Sequence, residues 1–258
     1  MAYPPLFDLS GKTALVTGAG GGLGAACAEA MAEAGANVVL ADIDTSGLDR
    51  TATAIEALGR RALPVVCNIA DEGAVDAMVA EAIATFGSIG ILINNAGIGD
   101  PEPLPVHEYP TDQWNKVVSI NLNGQFFCAR AVLRHMVRAR RGKIINIASM
   151  WGLAGPSSVF PLTAYAATKG AIVNLTREMA LQYAPLGITV NAICPGFFRT
   201  NLGPFDDPDF VKAITDFTPM GRIAAPEEIK GTAIYLASAA SDFVTGTMLV
   251  ADGGCLAK

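Results

Sequence analysis

Charge is what this sequence has least of. Only 16% of its 258 residues are Asp, Glu, Lys or Arg, against roughly a quarter in ordinary soluble proteins. With 51% hydrophobic residues, the chain has the apolar side chains for a large core, and intrinsic disorder is excluded. Positive charge is scarcer still: 18 basic against 24 acidic residues leave a net charge of −6. Nucleic-acid binding, which draws on clustered Lys and Arg, is therefore not expected. The one basic cluster, Arg138 to Lys143, reads as a solvated helix C-terminus. Long hydrophobic runs are missing too, each being broken before the ~18 residues that a membrane-spanning helix needs. The stretch MAYPPLFDLSGK has neither an early positive charge nor the apolar core of a secretion signal, and the expected location is cytoplasmic. Histidine is almost absent, and neither His107 nor His135 has an acidic residue at helical spacing, so no metal site is expected. The five cysteines (27, 67, 128, 194 and 255) form no C-x-x-C pair and read as small core residues.

What is present is a regular alternation. Short β-branched runs at 13–17, 37–41, 62–67, 89–94, 142–148, 188–193 and 247–251 alternate with Ala-rich helical periods near 22–34, 46–58, 71–86, 112–139, 163–184 and 226–238. That is the pattern of βαβ units. The predicted fold is α/β: a doubly wound, Rossmann-type parallel sheet of seven strands with helices on both faces, in one domain spanning 1–258. Asp71 and Pro226 mark helix starts. The Pro-rich stretches at 101–110 and 195–208 are expected as loops over the C-terminal edge of the sheet, where ligands bind. The second is long enough to be a mobile lid.

Directly after the first strand comes Thr17-Gly18-Ala19-Gly20-Gly21-Gly22-Leu23-Gly24, then a helix. Glycines tolerate positive φ and leave no Cβ between backbone and phosphate, while the helix start offers unpaired N–H groups and a positive dipole end. A dinucleotide pyrophosphate fits there. Alone, such a turn is weak evidence. Asp42 strengthens it: it ends the second strand, followed by Ile43, and lies twenty residues beyond Gly22. A carboxylate there accepts from ribose hydroxyls and repels a 2′-phosphate, which favours NAD over NADP. Its plainer reading is a cap for the next helix. Asn95, Ala96 and Gly97 end the fourth strand, where small residues let a cofactor's adenosine half approach the backbone; the alternative is a tight strand-to-loop turn.

Tyr165-Ala166-Ala167-Thr168-Lys169 places phenol and ammonium on one helical face. An ammonium beside a phenol favours phenolate, so the pair can donate and accept a proton. In the order Thr17-Gly18-xxx-Gly22-x-Gly24, Asn94-Asn95-Ala96-Gly97, Asn121, Ser149, Tyr165-xxx-Lys169 and Pro195-Gly196, the chain resembles the short-chain dehydrogenase/reductase family over nearly its whole length. The resemblance implies that Tyr165 is the acid/base, that Ser149 holds the substrate oxygen and that Lys169 binds the nicotinamide ribose. It implies that Asn121 keeps a helix kinked and anchors a water of the proton relay. It also implies that Pro195, Gly196, Phe198 and Thr200 orient the nicotinamide, and that the chain assembles as a homotetramer through the helices near 112–139 and 163–184 and the last strand.

Two features depart from the family's usual form. Cys67-Asn68-Ile69 replaces the common acid facing adenine, though Asn68 can still donate and accept. Ser149 and Tyr165 are also about three residues farther apart than is usual in the family. The added length, within 150–161, is expected to form a substrate wall in which Trp151 and Phe160 contact the ligand, with a packing role for Trp151 as the alternative. Phe197-Phe198-Arg199-Thr200 and Thr218-Pro219-Met220-Gly221-Arg222 look like members acting on sugar acids and polyols, such as gluconate dehydrogenases. Arg199 is the candidate partner for a substrate carboxylate, and Arg222 for a scaffold ion pair. The expected activity is hydride transfer between NAD(H) and a secondary alcohol or ketone, a sugar, sugar acid or polyol. The alternatives are an NADPH-linked carbonyl or 3-oxoacyl reductase and an inactive cofactor-sensing protein.

Overall fold

A computed structural model describes residues 4–258; the first three residues of the N-terminal stretch read above lie outside it. Seven strands, β1 (Thr13–Thr17), β2 (Asn37–Asp42), β3 (Ala62–Val66), β4 (Ile91–Asn94), β5 (Gly142–Ile147), β6 (Ile188–Pro195) and β7 (Met248–Ala251), form one sheet. Every pairing in it is parallel, and the strand order is β3-β2-β1-β4-β5-β6-β7. Parallel strands need crossovers, so helices cover both faces.

The side-chain period of two splits each strand between two cores. Ala14, Val16, Val38, Leu40, Ile91, Ile93, Ile145 and Ile147 pack beneath α1 (Gly22–Glu33), α2 (Thr45–Ala57) and α8 (Lys230–Ala237). Leu15, Val39, Leu92, Ile144 and Val190 face the other way, beneath α3 (Glu72–Phe86), α5 (Gln125–Ala139) and α6 (Thr163–Tyr183). Strands buried on both faces are why the centres of β1 (Ala14-Leu15-Val16) and β4 (Ile91-Leu92-Ile93) are wholly apolar instead of alternating. After β3 the order reverses to the other side of β1, so the C-terminal ends of β1 and β4 open a crevice between diverging connections, the place where doubly wound sheets bind ligands.

The predicted strands and helices are all present, with ends shifted by a few residues. Asp71 caps α3, accepting from the N–H groups of Gly73 at 2.9 Å and Ala74 at 3.2 Å. Pro226 opens a single tight turn (Pro226–Ile229) that runs into α8. The helix expected at 112–139 is α4 (Thr111–Val118) and α5 joined by one π-helical turn, Ser119–Gly124. Past the lid expected at 195–208 lies a helix that was not anticipated, α7 (Pro208–Phe217). Its signal was in the sequence: Asp207 accepts from the N–H groups of Asp209 (2.9 Å) and Phe210 (3.4 Å), and Pro208 occupies the first position.

Candidate active site

The Gly-rich turn is built by exclusion. Gly18 and Gly22 adopt φ of +68° and +54°, which L side chains rarely adopt. A Cβ at Gly24 would lie 1.9 Å from the Gly18 carbonyl oxygen. Gly21, which precedes α1, provides no side-chain cap, so the first N–H groups of the helix, on Gly22, Leu23 and Gly24, are left for an acidic ligand. Thr17 and Asn95 pin the turn from behind. The Thr17 hydroxyl accepts from the N–H groups of Asn95 and Ala96, both at 3.0 Å, and Asn95 Nδ2 donates to Thr17 O at 2.9 Å. Asn95 thus braces the turn. Of the expected trio at the end of β4, Gly97 faces Asn121 and Lys169: a Cβ there would stand 3.1 Å from Asn121 Oδ1 and 3.7 Å from Lys169 Nζ.

Asp42 lies across the same turn. Its Oδ2 accepts from Gly20 N at 2.8 Å, and its Oδ1 accepts from Ile43 N at 2.7 Å and Asp44 N at 3.0 Å. The carboxylate therefore orders the loop rather than capping α2 (Thr45–Ala57), whose capping position is Asp44, and it keeps lone-pair capacity for a hydroxyl. Arg50, the nearby cation, donates to Ser46 and pairs with Asp44. Asn68 is exposed and folds back, its Oδ1 accepting from Ala70 N. Ile69, expected at the adenine, turns its side chain into the core; its Cδ1 lies 2.6 Å from where a Cβ on Gly124 would stand. Ile69 offers a ligand only its backbone.

Ser149, Tyr165 and Lys169 come together at the C-terminal edge of β5 and the start of α6. Ser149 Oγ accepts from Trp151 N at 3.1 Å, which leaves its proton free to donate. The longer spacing to Tyr165 does not displace it, because the added residues close into two tight turns, Met150–Gly152 and Pro156–Ser158. The first packs on α6 so closely that a Cβ at Gly152 would lie 2.6 Å from Lys169 O. Lys169 is 3% exposed; its Nζ donates to Ile147 O at 2.7 Å and stands 5.5 Å from the centroid of the Tyr165 ring.

The electrostatics correct one expectation. The Tyr165 phenol is held above its ordinary value, chiefly by burial, with the Ser149 hydroxyl pulling it down and the Asp100 and Cys194 side chains adding to the rise. Burial lowers Lys169 to about 8. At this distance the ammonium does not outweigh desolvation of the phenol. In the protein alone the pair is a reluctant acid beside a readily deprotonated amine.

Asn121 sits in the π turn, fully buried. Its Oδ1 accepts from Ile98 N and its Nδ2 donates to Ile98 O, both at 2.8 Å, and Nδ2 also reaches Thr168 Oγ1 at 3.3 Å. The expected kink is thus a wound-out turn, and Asn121 joins it to the segment after β4 and to α6. Thr168, which the sequence reading passed over, completes this link by donating to Tyr165 O at 2.8 Å.

On the far wall, Pro195 ends β6, and a Cβ at Gly196 would come within 2.6 Å of Asp252 Cα. Phe198 is buried and bridges to Ala224. Thr200 reaches across to the Gly-rich turn, with its Cβ and Cγ2 both 3.3 Å from where a Cβ on Gly22 would lie. Trp151 is not an exposed stacking surface. It is 5% exposed and packs against Phe197 and Phe217, with ring centroids 6.2 and 5.8 Å away. Phe160 stacks on Phe210 at 5.6 Å, joining the 150–161 wall to α7. Arg199 is exposed, lies over the Phe205 ring and forms none of the ion pairs among the described residues. Arg222 is the scaffold pair expected, with both terminal nitrogens on Glu228 at 2.7 Å, which holds Glu228 down at about 2.

A glycine cradle at a helix start, an acid at the end of β2 and a buried lysine beside the crevice fit a dinucleotide. Comparison with known proteins agrees with this geometry. The family described as Enoyl-(Acyl carrier protein) reductase matches residues 18–255. The chain is 41% identical over 243 residues to a cis-4-hydroxycyclohexanecarboxylate dehydrogenase of Sinomonas cyclohexanicum, covering 94% of this chain and 96% of that one. It is also 41% identical over 256 residues to a gluconate 5-dehydrogenase of Gluconobacter oxydans (strain 621H), covering 98% of each. The crystal structure of a gluconate 5-dehydrogenase from Burkholderia cenocepacia J2315 in complex with NADP and tartrate superposes with a TM-score of 0.92 at 39% identity, covering 98% of both chains. With these matches spanning nearly the whole chain, it belongs to the short-chain dehydrogenase/reductase family of oxidoreductases.

Proposed function

We propose that the chain is one dinucleotide-binding domain that interconverts a secondary alcohol and a ketone, with NAD(H) as cofactor and a sugar, sugar acid or polyol as substrate. The observation that carries this reading is the convergence of Ser149, Tyr165 and Lys169 beside the glycine cradle at the crevice between β1 and β4. Bound nicotinamide supplies or accepts the hydride. The Ser149 proton, free of the local backbone, holds the substrate oxygen; Tyr165 exchanges a proton with that oxygen; Lys169 holds the ribose and stands by as the next proton carrier. Gly22, Leu23 and Gly24 take the pyrophosphate, with Thr200 closing over them, and Asp42 takes the adenosine ribose. Asp42 faces that ribose with a carboxylate and the nearby Arg50 is engaged by Ser46 and Asp44, which supports NAD, although the Burkholderia relative binds NADP.

A second reading of the substrate is favoured by the wall itself. Tyr165 packs in one apolar cluster with Met150, Trp151, Val159, Leu162 and Phe197, so much of the surface beside the phenol is apolar. Each hydroxyl of a polyol desolvated there without a partner costs about 1–3 kcal/mol. A ring alcohol carrying a carboxylate, as the name of the Sinomonas relative describes, suits such a wall, with Arg199 for its acid group.

Purified protein with NAD and a panel of polyols, aldonates and alicyclic hydroxy acids tests both readings. Reduced nicotinamide is expected to form with one class, and Tyr165→Phe to lower turnover by about a hundredfold or more while nucleotide titration curves stay unchanged. Silence across the panel, or tighter binding of NADPH than NADH, defeats the corresponding claim. We further propose a cytoplasmic homotetramer. Free thiols suit a reducing compartment, and exposed Trp114, Phe126, Leu181 and Phe243 supply apolar surface for assembly. Leu181→Asp is expected to reduce the solution mass in light scattering.

A further inference from the structure

α6 begins without a cap of its own. Leu162, at the capping position, provides no side-chain hydrogen bond, yet the first N–H groups of a helix need acceptors. The acceptor comes from elsewhere in the chain: Asp100 Oδ1 accepts from Tyr165 N at 2.8 Å, and Asp100 Oδ2 from Ala164 N at 3.1 Å. Thr163 Oγ1 adds a second tie, to Leu104 O at 3.1 Å. At its other end the same segment is held by both bonds between Ile98 and Asn121. Residues 98–104 are thus a strap from the π turn to the backbone of Tyr165 itself.

We propose that Asp100 is a positioning residue for the reaction: by capping α6 from outside, it sets the height of Tyr165 against Ser149 and keeps a fixed negative charge beside the phenol. This rests on the reading of Tyr165 as the acid/base. The titratable groups facing Tyr165 are few. Lys169 lies on α6 itself; Cys194 comes from β6, its thiol pushed up to about 11 and hence neutral; Cys255 belongs to the apolar cluster around the ring. Asp100 is the carboxylate among them, and its charge adds to the rise of the phenol. Tyr109 also faces this carboxylate: burial and Asp100 hold its buried phenol far above its ordinary value.

Two variants separate position from charge. Asp100→Asn keeps one oxygen as acceptor and removes the charge; Asp100→Ala removes both. Protein labelled at the tyrosine Cζ carbon is titrated by NMR, and the residue 165 resonance is assigned by its loss in Tyr165→Phe. In Asp100→Asn that resonance is expected to titrate roughly one pH unit lower than in wild type, and the acidic limb of alcohol oxidation is expected to move the same way. In Asp100→Ala, turnover is expected to fall about ten- to a hundredfold. Coincident titration curves for Asp100→Asn and wild type overturn the proposal, as does full turnover in Asp100→Ala, even if its melting temperature falls. If Asp100→Ala does not fold, the Asp100→Asn titration alone decides. If Tyr165→Phe keeps full turnover, the acid/base reading fails and this inference with it; coincident titrations alongside an inactive Tyr165→Phe overturn this inference only.

Discussion

Gly24 has no space for even a methyl group: the Gly18 carbonyl oxygen and Asn95 Nδ2 would lie 1.9 and 2.5 Å from it. Gly24→Ala must therefore push apart the turn that Thr17 and Asn95 hold together. Overpacking of this kind costs about 1–3 kcal/mol, so the expected outcome is a lower melting temperature together with loss of NADH binding in a fluorescence titration. Tyr165 and Lys169 show the opposite relation between residue type and outcome. Their spacing on one helical face was plain from the sequence, but the direction of their proton affinities was not. Burial acts on both, raising the phenol and lowering the ammonium to about 8, and burial depends on Met150, Trp151 and Phe197, which come from other parts of the chain.

At the scale of elements, the π turn at Ser119–Gly124 is the joint of the site. It places one extra residue in the helix and turns Asn121 towards Ile98, whose N–H and C=O have no strand to pair with. Asn121→Ala orphans both groups. Both groups are half-buried, so water replaces part of what is lost, and urea denaturation should show a loss of about 1–2 kcal/mol. Turnover should also fall, because the strap that ends at Tyr165 N is released at its other end. The sequence named Asn121 through a resemblance, but not what it holds, because Ile98 is 23 residues away. The start of helix α7 is legible in Asp207-Pro208, at the end of the stretch that reads as a lid. What no local signal carried is its contact with the 150–161 wall, Phe210 on Phe160.

For the whole molecule, the buried cysteines set the alkaline limit. Burial raises Cys27 to about 12, Cys194 to about 11, and Cys67, Cys128 and Cys255 above the ordinary value. A thiol that holds its proton in the fold and loses it when unfolded contributes stability that is complete below about pH 9 and declines as pH rises through the folded value. Lys169 acts in the opposite sense between about 8 and 10.5, but it is one group against five. Denaturant midpoints are expected to fall steadily above pH 9, and a flat profile there would contradict the burial of these thiols. The alternation of β-branched runs with Ala-rich helical periods was enough to determine the parallel sheet, and the glycine turn, Asp42 and the Tyr-Lys pair were enough to determine the crevice. These rest on backbone periodicity and fixed local spacing, which a linear chain displays. Only the tertiary structure decided that Trp151 packs inward, that Ile69 belongs to the core, and that the helix bearing Tyr165 is capped by Asp100, 65 residues earlier. Burial and long-range hydrogen bonds arise when distant segments meet, and no window along the sequence contains both partners.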